Sequence, residues 1–111
     1  MSRGPGVVQR QCLEVLRAAG GVPTDSVEIA ARALGRTTIT PSENASFRRA
    51  LRQLARSGSV IDMGRGYRDG RRRWALPAAA AAEYRKLAGM YGERFVPAQN
   101  RHLLRGGGEA P

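Results

Sequence analysis

Apolar residues recur with helical spacing in four segments of the chain, which cover residues 7–19, 26–34, 41–57 and 78–91. A glycine follows each of the first three segments, and a proline opens the third and precedes the fourth. Residues of these types are common at helix boundaries, because glycine tolerates the conformation that ends a helix and proline suits its first turn. The pattern therefore predicts four helices.

The third predicted helix has the clearest boundaries and the most unusual surface. Thr40 is a good N-cap and Glu43 lies three residues later, the spacing of a capping box. Phe47, Leu51 and Leu54 recur on one face and predict a buried stripe. The opposite face and its flanks carry no carboxylate, although solvated helices usually mix both charge signs there. The arginines of this surface are Arg48, Arg49, Arg52 and Arg56.

A β-hairpin is predicted after the third helix. Apolar residues alternate in 61–63 and in 74–76, and we expect both strands to turn these residues towards the helix. The loop between them, residues 64–73, contains three glycines and is rich in arginine. Residues 22–23 predict a short edge strand against the hairpin, since proline is tolerated at sheet edges.

The charge of the chain is concentrated on this helix and hairpin. The 111 residues suffice for one domain, and their net charge is +10. Residues 41–76 contain nine arginines against three carboxylates, so six of the ten excess charges lie there. The arginine content alone would also suit a protein from a GC-rich genome, so the positions of the arginines carry the argument. Their clustering predicts a polyanionic partner.

Few other functional classes fit the composition. The nine carboxylates are scattered, His102 is the only histidine, and Cys12 has no positioned base, so we expect no enzyme activity, metal or cofactor. Cys12 falls on the apolar face of the first helix, where a core role is expected rather than redox sensing. A single cysteine and the lack of a signal peptide or long apolar segment predict a soluble cytoplasmic, nucleoid-associated protein without membrane contact.

The order helix, short strand, helix, helix, strand, basic loop and strand resembles the winged helix-turn-helix superfamily of bacterial transcriptional regulators. The resemblance covers residues 7–76, and its most specific part is SFRRALRQLARSGSVIDM, which is similar to a recognition helix, its glycine stop and the first wing strand. It implies an α+β, mostly α fold: a winged helix-turn-helix with a three-helix core, a β-hairpin wing and a C-terminal helix.

The resemblance implies a DNA interface made of the third helix in the major groove and the loop 64–73 as a wing on the backbone or the minor groove. Arg49 and Arg52 are the first choices for base contact, and Tyr67 is as well suited to local packing as to DNA. Six to ten phosphate contacts would lower affinity about 10³–10⁵-fold between 50 and 200 mM salt. The candidate DNA-binding residues are Ser42, Asn44, Ala45, Ser46, Arg48, Arg49, Arg52, Gln53, Arg56, Arg65, Tyr67, Arg68, Arg71, Arg72 and Arg73.

The remaining segments are assigned by their position around this unit. Residues 1–6 are expected to form a flexible arm and residues 97–111 a disordered tail. Residues 77–96, the C-terminal helix, lie where several such regulators carry a dimerisation helix. Its apolar stripe suits either the core of the same chain or a homodimer contact. The stripe consists of Tyr84, Leu87, Tyr91 and Phe95.

These expectations favour a sequence-specific, double-stranded DNA-binding transcriptional regulator that acts as a homodimer. The alternative is a winged-helix nucleic-acid-binding module of a replication, plasmid-maintenance or RNA-binding assembly, in which the same charge serves without strong sequence specificity. A third class is a winged helix that binds another protein. In that class, removing Arg49 and Arg52 together would leave any nucleic-acid affinity unchanged.

Overall fold

Five α-helices and a three-stranded sheet make up residues 6–66 and 69–105, which are the residues described by this computed structural model. The fold is α+β and mostly helical. Two 3-10 turns, Glu93–Phe95 and Ala98–Asn100, follow the fourth helix. The elements in chain order are α1 (Val7–Ala18), β1 (Thr24–Asp25), α2 (Ser26–Leu34), α3 (Pro41–Arg56), β2 (Ile61–Arg65), β3 (Arg72–Ala75), α4 (Pro77–Tyr91) and α5 (His102–Arg105).

The predicted helix boundaries are confirmed where local capping sets them. The Glu43 N–H donates to Thr40 Oγ1 at 3.1 Å, and the Thr40 N–H donates to Glu43 Oε1 at 2.9 Å, which completes the capping box of α3. Gly58, just beyond α3, has a φ of 83°, a left-handed conformation that glycine adopts without strain. α2 also begins at a side-chain cap, because Asp25 accepts a hydrogen bond from the Glu28 N–H at 2.9 Å.

The three strands form an antiparallel sheet in the order β1-β3-β2. The edge strand was predicted at residues 22–23, but it lies at Thr24–Asp25, and the side chain of Val22 is exposed. Pro23 has no N–H to donate to a neighbouring strand, which explains why pairing starts only after it. A bulge between Asp62 and Arg65 places Gly64 at a φ of 80°, so β2 bends as it enters the loop.

Each face of the sheet covers a different core. Trp74 is buried with α1, α2 and α3, and Leu76 packs partly against the same cluster. Ala75 points to the other face, where it is buried with α4 and the C-terminal segment. Ile61 and Met63 also pack on that second face, so the expectation that they contact α3 is wrong. The reason is the register: Ile61 pairs with Ala75, and directly paired residues share a face.

The segment from 97 to 105 is ordered, in contrast to the expected disordered tail. Val96, Asn100 and Leu103 are buried against α4 and the sheet. The three residues lie at i, i+4 and i+7, which is a helical spacing, but Asn100 is polar, so no apolar stripe marks the segment. Residues 106–111 of the predicted tail and residues 1–5 of the predicted arm lie outside the described residues; Gly6 is the N-cap of α1.

Asn100 joins this segment to both neighbouring elements. Its side-chain Nδ2 donates to the hydroxyl of Tyr84 on α4 at 2.9 Å and to the carbonyl of Asp62 on β2 at 3.0 Å. Both acceptors would lose this donor together, so one substitution should release the segment from the helix and from the sheet.

We expect Asn100→Ala to lower the free energy of unfolding by about 1–3 kcal/mol, because it leaves buried polar groups without a partner. Gln99→Ala, which changes the exposed neighbouring side chain, should stay within about 0.5 kcal/mol of wild type. Urea denaturation followed by circular dichroism measures both values. Equal effects of the two substitutions would contradict the role of Asn100.

Candidate nucleic-acid interface

The outward face of α3 has the arrangement that the helical spacing predicts. Phe47, Leu51 and Leu54 are buried beneath it. Seven residues separate Ala45 from Arg52, and Arg56 follows four residues later, so the three side chains share one face. The exposed predicted residues of this face and its flanks are Ser42, Ala45, Arg48, Arg49, Arg52, Gln53 and Arg56.

The arginines of α3 carry charge that the rest of the described chain does not neutralise. Within residues 6–66 and 69–105, no carboxylate forms an ion pair with Arg48, Arg49, Arg52 or Arg56. The same holds for Arg65 at the end of β2. We call these five residues the unpaired arginines. Among the described residues, no ion pair with these arginines has to break before an anionic partner binds.

The predicted arginines of β3, in contrast, are matched to carboxylates of the hairpin itself. Arg72 Nη1 lies 2.8 Å from Asp62 Oδ2 and 2.9 Å from Oδ1. Arg73 forms a two-nitrogen contact with Asp69, at 2.7 Å and 3.2 Å. Hydrogen bonds from the Arg73 side chain and the Arg71 N–H lower the pKa of Asp69 from 3.8 to about 2. These pairs hold the hairpin in shape and reduce its net charge.

A third pair connects the hairpin to the three-helix core. Arg71 Nη1 lies 3.3 Å from Asp25 Oδ2, while Asp25 Oδ1 accepts the capping hydrogen bond of α2. The side chain of Asp25 is only 15% exposed, whereas that of Arg71 is 59% exposed. This carboxylate therefore fixes one end of the arginine and leaves most of its surface to solvent.

A cleft of about 290 Å³ separates α3 from the hairpin and brings six of the predicted residues together, Asn44 and five arginines. Its wall on α3 carries Arg48 and Arg52. Arg65, Arg71 and Arg72 line the hairpin side. Sequence spacing alone could not show this convergence, since it depends on how the hairpin packs against α3.

Three predicted residues of α3 face α1 instead of the cleft. Ser46, Arg49 and Gln53 line a shallow depression with the first turn of α1. Gln53 Oε1 accepts a hydrogen bond from Gln9 Nε2 there. Arg49 is thus exposed but lies on the opposite edge of the helix from Arg48.

Asn44 is the predicted base-reading residue that fits its role least. Its side chain is half-buried, and its Oδ1 accepts a hydrogen bond from Ser26 Oγ at 2.7 Å. This contact joins α2 to α3 and uses one of the two lone pairs of the oxygen that adenine recognition would require. Asn44 therefore positions the helix. The remaining two predicted residues, Tyr67 and Arg68, lie outside the described residues.

The four residues of the predicted dimerisation stripe do not form one surface. Tyr84 is 3% exposed, and its hydroxyl accepts a hydrogen bond from Asn100. It therefore belongs to the core of its own chain, and its prediction as a dimer contact is wrong. Leu87 is half-buried in the same cluster. Tyr91 and Phe95 are exposed, with ring centroids 5.7 Å apart. The helical spacing of the four residues continues through Gly92 in the sequence, but α4 ends there and the chain changes direction. The spacing therefore did not reveal this division.

No other candidate chemistry emerges from the described residues. Cys12 is fully buried, and burial raises the pKa of its thiol to about 12, which suits the predicted core role. His102 is exposed near the Gln99 carbonyl. No group of three metal-ligating side chains occurs within residues 6–66 and 69–105, and no helix there is long and apolar enough to cross a membrane.

The chain matches no protein-family model, no curated protein and no solved structure. The functional assignment therefore depends on the geometry and charge of the site alone.

Proposed function

We propose that this protein binds double-stranded DNA, with α3 in the major groove and the hairpin along the adjacent backbone. The observation that carries the proposal is the set of unpaired arginines, which extends across α3 and continues onto the hairpin at Arg65. Duplex DNA presents closely spaced phosphates on both sides of a groove that admits a helix. A helix with cations at its centre and both edges complements that arrangement.

We further propose that residues 7–76 form a winged helix. Support comes from the element order α1, β1, α2, α3, β2 and β3, and from the antiparallel order β1-β3-β2. In a winged helix of this order, α3 would enter the groove and the hairpin would lie beside it. The cleft wall between α3 and the hairpin then faces the backbone of the bound duplex.

The arginines of α3 receive different roles from their positions. Arg52 lies on the central face with Ala45 and Arg56, where a guanidinium can bond guanine O6 and N7 together. Ala45 permits close approach and can contact a thymine methyl group. Arg48 and Arg49 lie on opposite edges of the helix, where the two phosphate backbones would pass. Sequence preference would therefore depend mainly on Arg52, and affinity on all five unpaired arginines.

We expect the logarithm of the DNA association constant to fall with the logarithm of salt concentration with a slope of about −3 to −4, from roughly 0.9 counterions for each of the four unpaired arginines other than Arg52, which is assigned to a base. The three paired hairpin arginines would steepen the slope to about −6 if they also contacted phosphates. Fluorescence anisotropy with a labelled duplex across 50–200 mM salt measures it. A flat response would rule out the proposal.

The difference in binding free energy between a selected site and random duplex should fall by about 1–3 kcal/mol in Arg52→Ala. Arg85→Ala, which removes one positive charge from an exposed position on α4, should leave this ratio unchanged. The selected DNA site is identified by isolating bound sequences from a random DNA pool. A wild-type specificity ratio near one would instead support the nonspecific nucleic-acid-binding module.

We also propose that the protein is a homodimer whose contact surface includes Met90, Tyr91 and Phe95, the exposed apolar residues at the end of α4. Phe95→Asp should shift the dimer towards monomer in sedimentation equilibrium, because a buried charge opposes association. Val22→Asp is the control, since Val22 is also an exposed apolar residue but lies before the sheet, far along the chain from α4. A monomeric wild-type protein at high concentration would contradict the dimer.

A further inference from the structure

The cleft between α3 and the hairpin differs in shape from the rest of the proposed interface. The outer face of α3 is convex, whereas the cleft is concave, open to solvent and about 290 Å³ in volume. Small-ligand sites are concave and start at roughly this size, about 300 Å³. The cleft is therefore large enough for a small charged group and too small for most larger ligands.

The charge of this cleft exceeds what one backbone phosphate would balance. Five arginines line it, and two of them are paired, Arg71 with Asp25 and Arg72 with Asp62. Five guanidinium groups against two carboxylates leave three positive charges. A phosphodiester in a DNA backbone supplies one negative charge, whereas a phosphate monoester carries about −1.5 to −2 and a chain of linked phosphates carries more.

The two ion pairs also prepare the cleft for an anion. Arg71 and Arg72 each use only Nη1 in their contacts with Asp25 and Asp62. A guanidinium has five N–H donors, so each of these side chains keeps donors while its position is fixed. Fixing a side chain before binding reduces the entropy that the ligand has to offset.

We infer that this cleft binds an oligophosphate group, with Arg48, Arg52 and Arg65 as the uncompensated cations that receive it. Two sources share this chemistry: the phosphate chain of a nucleotide and the phosphorylated 5′ end of a nucleic-acid strand. Binding of the group requires only the cleft. Its consequence for DNA rests on the proposed function, because Arg48 and Arg52 also belong to the proposed duplex interface, so the bound group would weaken duplex binding.

The test is calorimetric titration of the full chain with sodium tripolyphosphate at a constant ionic strength of about 0.15 M. We expect saturable binding that Arg65→Ala weakens about tenfold or more, since a charge-assisted hydrogen bond is lost. The matched control is Arg56→Ala, which removes the same charge from an exposed position on α3 that does not line the cleft. Trp74, the only tryptophan, lines the cleft, so its fluorescence reports binding at that place.

Two results would overturn the inference: no saturable binding, or equal weakening by both substitutions, which would show a response to net charge alone. Competition experiments then separate the sources. Displacement of tripolyphosphate by adenosine triphosphate identifies nucleotide binding, and displacement by a 5′-phosphorylated but not a 5′-hydroxyl hexanucleotide identifies a strand end. If both hexanucleotides displace it equally, phosphodiesters suffice and the inference is wrong.

The same variants distinguish this inference from the proposed function. If the protein binds tripolyphosphate, Arg65→Ala weakens that binding and duplex affinity is absent, the cleft inference stands and the DNA proposal is rejected. If the protein binds duplex DNA but not tripolyphosphate, the DNA proposal stands and the cleft inference is rejected. Where both occur, saturating tripolyphosphate should lower duplex affinity in wild type and have less effect in Arg65→Ala.

Discussion

The burial of Trp74 is the interaction on which the remaining structure depends. Its side chain lies among the three N-terminal helices, while the next residue, Ala75, points into the second cluster formed with α4 and the C-terminal segment. The middle strand β3 therefore connects both cores, and its partner β2 is held at a set distance from α3. The cleft exists because of this packing, since Trp74 also forms part of its wall.

The carboxylates divide the arginines of the candidate site into two groups with different physical roles. Those of the hairpin at 71–73 are held by Asp25, Asp62 and Asp69 and shape the hairpin. Those of α3, together with Arg65, have no carboxylate partner among the described residues and remain available to an anion. Exposed ion pairs add little stability, so the pairs matter chiefly because they orient the hairpin side chains and lower its charge. An arginine count alone would overestimate the electrostatic contribution of the hairpin.

The four long helices and the hairpin could be predicted from local sequence, but the composition of the candidate site could be predicted only in part. The outward arc of α3 follows from helical spacing, so the exposure of Arg49 and Arg52 was predictable. The contact of Asn44 with Ser26 was not, because it joins residues of two helices whose packing angle no local pattern contains. The split of the C-terminal stripe was hidden for a related reason: its spacing continues through Gly92, but the chain direction does not.

The sequence by itself determined where α2 and α3 begin, because caps such as Thr40 with Glu43 act within a few residues. It also determined which face of α3 is buried and that the positive charge is concentrated in residues 41–76. Only the tertiary structure decided which arginines find a carboxylate, which face of the sheet each strand residue occupies, and that Val96, Asn100 and Leu103 pack into a second core. These outcomes depend on contacts between residues far apart in the chain, and the local sequence pattern does not specify those contacts.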